Sequence, residues 1–195
     1  MSQIDTSVFN IAREGGDMAP YFDRLQVIGE ILDYHARGEE AAVFPAVDNI
    51  APFLAKAYIL DHRELDNMVH GLEAIRKAPD PLTTARATAV LDSHLRIHLD
   101  KEDVHLYPIL RERTTDDEQV SIGKVLASKT PPERSPSQLQ WLFPLLDLGD
   151  QVTVTRGFMS LMPPPVFAMV KPLIKKNVAE NWMELTQQIP ELSDK

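Results

Sequence analysis

The sequence predicts an all-α protein: an up-down helical bundle in its N-terminal part and a helical extension after it. Three observations carry this. Strand-like alternation is nearly absent, and the short run Gln151-Val152-Thr153-Val154-Thr155 is the one tempting exception. Proline and glycine punctuate the chain at Gly15-Gly16, Pro45, Pro79 with Pro81, and Pro108. Between these breaks lie three long segments, at about residues 20–44, 51–77 and 82–107, each with apolar residues at alternating spacings of three and four.

The first segment carries Leu25, Ile28, Leu32, His35, Glu39 and Ala42 on one stripe. The second carries Leu54, Tyr58, His62, Leu65, Val69 and Leu72, and the third Ala87, Leu91, His94, His98, Glu102 and His105. Polar groups therefore interrupt stripes that should be buried. A buried carboxylate without a partner costs several kcal/mol, so either the face is misassigned or these residues form a buried ligand set. After residue 112 the pattern changes. A helix is expected over residues 115–128, with Asp116, Asp117 and Glu118 at its positive end. A Pro/Ser-rich linker follows at 130–137, then two segments at 138–162 and 163–188. Pro172 is expected to kink or divide the last one. The division read from sequence is thus a metal-binding bundle over 1–112 and an extension over 113–195 that packs on it.

Composition narrows the function classes. The chain has 195 residues, 44% hydrophobic and 25% charged, with 20 basic against 29 acidic residues and a formal charge of −9. An acidic balance argues against nucleic acid or an anionic membrane as partner. No apolar run approaches the roughly 20 residues of a membrane span, and no basic-then-apolar leader opens the chain, so a cytoplasmic location is expected. Cysteine is absent, which excludes disulfides, thiolate metal sites and a thiol nucleophile. Any metal must be held by nitrogen and oxygen.

An internal repeat points to such a metal. His35-Ala-Arg-Gly-Glu39-Glu40-Ala-Ala-Val43-Phe44-Pro45 recurs 63 residues later as His98-Leu-Asp-Lys-Glu102-Asp103-Val-His-Leu106-Tyr107-Pro108. In both copies a histidine precedes a glutamate by four residues, and a second acid, an aliphatic, an aromatic and a helix-ending proline follow. Four residues make about one helical turn, so imidazole and carboxylate leave the same face. Two such helices facing each other bring two histidines and two glutamates together, as in carboxylate-rich two-metal sites. His62 lies on the stripe between Tyr58 and Leu65 and joins the set as a candidate ligand. Asp66, one turn on, is either an added oxygen ligand or a surface acid paired with Arg63 or Lys77.

On these residues the chain resembles the hemerythrin-like (HHE cation-binding) family, over about residues 1–112. The resemblance implies a four-helix bundle around a non-haem di-iron centre. Its ligand pattern is a histidine on helix one, a His-x-x-x-Glu pair on helix two, a histidine on helix three and another pair on helix four. Helix two matches at His35 and Glu39, helix three at His62, and helix four at His98 and Glu102. Oxygen carriers have a second histidine on helix three where this chain has Asp66, so the likeness is to the broader cation-binding branch.

The first-helix histidine has no match, since nothing before His35 is a histidine. Counting back by the repeat puts that position just ahead of Met1, so helix one reads as truncated. One metal would then keep His62, His98 and both bridging glutamates, the other only His35 and the bridges, which points to single or partial occupancy. His94 and His105 are candidate substitutes, as ligands or as partners of ligands, and so are Tyr34 and Tyr58. His70 is expected to face solvent. Phe44, Tyr107, Ile31 and Leu95 are either walls of the site or plain core.

The ligand chemistry suits iron, manganese or zinc, and the resemblance favours iron. Two function classes follow. The protein binds or senses a small ligand (oxygen, nitric oxide) or iron itself, or it is a modest redox enzyme consuming peroxide at the iron centre. A degenerate, metal-free interaction module is the third reading. The extension either covers the bundle or forms a homodimer contact.

Overall fold

A computed structural model describes residues 2–193. Those residues are helical almost throughout and form no strand. The chain divides into two compact units, residues 1–115 and 116–195.

In the first unit, α1 (Ser2–Glu14) ends at Gly15, whose φ of +80° is a conformation only glycine adopts without strain. The Gly15 N–H closes that end on the Ile11 carbonyl at 2.8 Å. α2 (Ala19–Gly38) starts with Pro20 in its first turn, and α4 (Ala55–Ile75) follows the first proline-bearing corner. α5 (Pro81–Lys101) begins at Asp80, whose carboxylate accepts the Thr83 N–H at 2.7 Å as an N-cap. α1 packs on α2 and α5, and α4 packs on the same two, which closes a four-helix ring. Leu25, Ile28, Leu65, Leu72 and Leu91 fill its interior. α2 and α4 approach closely at Gly29, where a Cβ would stand 2.9 Å from the Val69 side chain.

The expectation that Pro45 and Pro108 end their helices is overturned. α2 passes through one π-helical turn (Glu39–Val43) into α3 (Phe44–Ile50), and α5 through another (Glu102–Leu106) into α6 (Tyr107–Arg113). The Phe44 N–H donates to the Glu39 carbonyl and the Tyr107 N–H to the Glu102 carbonyl, each reaching back five residues. The cause lies in the prolines. A proline lacks the N–H for an ordinary helical bond, and its ring crowds the carbonyl four residues before it. A turn widened by one residue relieves that crowding and lets the helix run on.

The second unit contains α7 (Asp116–Ala127), α8 (Ser135–Leu142), α9 (Leu148–Leu161), α10 (Pro164–Val178) and α11 (Trp182–Gln188). Its own core gathers Leu139, Phe143, Ile174, Leu185 and Leu192. The strand-like run at Gln151–Thr155 is helical, inside α9, because the Asp147 side chain caps that helix through the Asp150 N–H at 2.9 Å. The expected single segment over 138–162 is broken at Phe143–Leu145, where Pro144 sits in a short 3-10 turn. Gln151 secures this corner: its amide donates to the Phe143 and Leu146 carbonyls at 3.2 and 3.1 Å. The 163–188 segment does divide, but at Ala179–Asn181 and not at Pro172, which α10 accommodates.

Candidate metal centre

Each half of the bundle aims its His-x-x-x-Glu pair into the ring at the point where the π turn begins. Glu39 and Glu102 are fully buried and His98 nearly so, while the His35 side chain is 32% exposed. His62, brought in by α4, is also buried. Glu39 Oε2 lies 3.4 Å from His35 Nε2 and 3.3 Å from His62 Nε2. Glu102 Oε1 lies 3.0 Å from His98 Nε2, and its Oε2 lies 3.7 Å from His35 Nε2. Four of the five candidate ligands, His35, Glu39, His98 and Glu102, therefore meet at one place, and His62 adjoins them through Glu39.

The decisive feature is how these atoms are satisfied. Nε2 of His35, His62 and His98, Oε2 of Glu39 and Oε1 of Glu102 are buried without a hydrogen bond of acceptable angle. Their approaches are close but misdirected. Buried polar atoms are normally paired, and five orphans converging on one spot need a shared partner. Three imidazole nitrogens and two carboxylates form a ligand set for a first-row divalent cation, so the residues present fit a metal. One ligand atom each from His35, Glu39, His98 and Glu102 lies within 4.8 Å of the others.

The opposite ring nitrogens are held too. His62 Nδ1 faces Glu40 at 3.3 Å, and Glu40 is in turn paired with Arg63 at 2.9 Å. His98 Nδ1 faces Asp61 at 3.4 Å, and Lys101 binds that same Asp61 carboxylate. A carboxylate behind a ligand imidazole fixes its orientation and raises its basicity. Phe44 stacks on the His62 ring at 5.2 Å between centroids, and the Tyr58 ring stands edge-on to His98 at 6.3 Å. Tyr107 donates its hydroxyl hydrogen bond to Glu39 Oε1.

Electrostatics follow from this crowding. Burial alone would push the Glu102 carboxyl up, but the His35 and His98 imidazoles outweigh it and hold the group down at about 2. Burial alone would lower both imidazoles; the neighbouring Glu102 carboxylate, with Glu39, and with Asp61 for His98, raises them above the ordinary 6.5. Burial and the Glu39 charge push the Tyr107 phenol up.

Several expectations are corrected. Of the two readings of Asp66 the surface acid fits: it is exposed at the rim of the cleft that reaches His35 and His62, and it pairs with His70 on its own helix at 3.3 Å where Arg63 or Lys77 was expected. His94 is 47% exposed and its Nδ1 lies by the Val90 carbonyl. The buried face of α5 runs through Thr84, Thr88, Leu91, Leu95 and His98, and His94 falls beside it. His105 is exposed because the π turn carries an extra residue, which brings Leu106 inward in its place. Tyr58 is buried, but its hydroxyl donates to the Lys101 carbonyl at 3.1 Å, so it touches His98 through its ring alone. His70 faces solvent as expected. Glu40, Asp61, Lys101 and the hydroxyl of Tyr107 went unrecognised in the sequence. The repeated second acid after each glutamate was a signal for Glu40, and nothing comparable marked Asp61.

The model of the hemerythrin HHE cation-binding domain matches residues 6–110, which span His35, Glu39, His62, His98 and Glu102. The chain belongs to this hemerythrin family. It is 27% identical over 106 residues to "Zinc finger protein BRUTUS" of Arabidopsis thaliana, a match that covers 51% of this chain and 8% of that much longer protein. No solved structure matches. The fold and cation-binding character of this hemerythrin domain thus rest on the family match and on its orphaned ligand atoms. No helix among its described residues is long and apolar enough to cross a membrane.

The carboxylates behind the ligands provide a test. Glu40→Gln and Asp61→Asn are each expected to weaken metal binding by about 10–100-fold while the fold is kept. Competition with a chelator of known affinity measures this, and wild-type affinity in both variants would remove them from the site.

Proposed function

We propose that this hemerythrin domain holds iron at the centre formed by His35, Glu39, His62, His98 and Glu102, and that the bound iron takes up a small diatomic or peroxide ligand. The observation that carries the reading is the set of five buried, unpaired nitrogen and oxygen atoms turned toward one another. Imidazole with carboxylate and no thiolate suits iron in either common oxidation state.

A cleft between α2 and α4 supports the ligand part of the reading. It has a volume of about 240 Å³ and reaches His35, His62 and His98 from the surface. His35 is the ligand that it leaves partly accessible. The cleft gives a small ligand a path from the surface to these histidines. Arg37 and Arg63 line the cleft with their partners Asp33 and Glu40. Iron supplies the open coordination position and the change of oxidation state that binding a small oxidant or diatomic needs. The chain's own residues supply the remainder: Glu40 and Asp61 orient imidazoles, Tyr107 holds Glu39, and Leu65 and Val69 keep one wall of the cleft apolar.

Elemental analysis of protein produced with iron in the medium tests the first part, with iron above other metals as the expected result. Absorption spectra recorded through cycles of aeration and degassing test the second, and a reversible charge-transfer band is expected. Peroxide consumption well above that of free iron would move the reading to the redox enzyme. Protein purified without metal, and unable to take it up, would overturn the proposal.

A further inference from the structure

We propose that Tyr107 sets the metal capacity of the centre by occupying one oxygen of Glu39, so that Glu102 is left as the carboxylate able to span two ions. This rests on the metal-binding reading above. The two carboxylates are related by the internal repeat but are not treated alike. Glu102 offers Oε1 toward His98 and Oε2 toward His35, at 3.0 and 3.7 Å, so its two oxygens face different ligand histidines. Glu39 turns a single oxygen, Oε2, to both His35 and His62, at 3.4 and 3.3 Å. Its other oxygen accepts the Tyr107 hydroxyl.

The source of the difference is visible in the repeat. Phe44 stands where the second copy has Tyr107. Tyr107, in the second half, reaches across to the glutamate of the first. Phe44 has no hydroxyl with which to reach Glu102 and stacks on His62. A hydrogen bond to a buried carboxylate is worth about ten- to a hundredfold in an equilibrium, and a second cation that recruits the held oxygen of Glu39 must give that up. Tyr107 is therefore a positioning residue: it acts on the metal through Glu39, and it makes the second ion weaker than the first.

The test is titration of the full chain with manganese(II), with bound metal counted by elemental analysis and spin-coupled pairs read by electron paramagnetic resonance. Wild type is expected to show two steps well separated in affinity. Tyr107→Phe is expected to narrow the ratio between the steps by about tenfold or more and to strengthen the coupled-pair signal at two equivalents. Phe44→Tyr, which puts a phenol at the repeat-related position of the first half, is expected to widen the ratio if that hydroxyl takes up an oxygen of Glu102, and it tests the idea without removing a native hydrogen bond should Tyr107→Phe fold poorly. An unchanged two-step isotherm in Tyr107→Phe, or equal weakening of both steps, would overturn the assignment while leaving the metal site intact. Wild-type protein that binds no manganese and no iron would overturn the metal reading itself, and this inference with it.

Discussion

Glu102→Ala is expected to reduce metal affinity by more than about 100-fold, beyond the range produced by losing a residue behind a ligand. The glutamate faces two of the three ligand histidines and is almost fully buried. Its removal takes away a charge that balances the cation, and no other carboxylate stands at that position. Glu39→Ala is expected to follow closely. The informative controls are His94→Ala and His70→Ala, which remove imidazoles on exposed faces and are expected to leave metal content at the wild-type level. Elemental analysis of the four variants after identical purification decides the matter. Equal metal retention in all four would show that the ligand assignment is wrong.

The metal-free and metal-loaded proteins are expected to respond to pH in opposite directions. In the metal-free protein His35 and His98 titrate above 6.5, so the stability they contribute is complete below about that pH and is lost as pH rises through their folded values. Glu102, held down at about 2, contributes fully above its ordinary 4.5 and loses that contribution as pH falls. The contribution of these three groups to stability without metal is therefore greatest between about pH 4.5 and 6.5 and declines as pH rises beyond it. Metal binding requires the imidazoles unprotonated, so the loaded protein gains over the same rise. Melting scans of chelator-treated and metal-loaded samples at about pH 6 and 8 check this. A divergence of about 2–4 °C corresponds to each kcal/mol of difference in a chain of this size. Parallel melting temperatures would mean that the imidazoles do not carry the protons assigned to them.

The main lines of the bundle and its centre were legible because the ligand spacing is repeated. A single His-x-x-x-Glu pair has little meaning, but His35 with Glu39 and His98 with Glu102, in matching surroundings, can share an interior only by facing one another. The histidines misjudged on α5 show where periodicity stops. Thr84 and Thr88 look polar in the sequence, yet both are fully buried, because their hydroxyls donate back to backbone carbonyls. Omitting them from the apolar stripe turned the inferred face toward His94. His105 was lost to a different cause, the extra residue of the π turn, which no hydrophobic count registers. Asp61 and Tyr107 act through hydrogen bonds across helices, 37 and 68 residues from their partners. Local pattern carries no trace of such pairs.

The two widened turns also constrain how this chain can be altered. Each residue advances an α-helix by about 100°, so the extra residue in each turn sets the rotational phase of everything beyond it. Val47 and Leu110, both inside the bundle, depend on that phase. Deleting one residue from either turn would regularise the coil around the centre and swing the downstream apolar side chains toward water. Removing the irregularity in a single step would cost the far end of the helix its packing, so the length of these two helices has to be varied elsewhere.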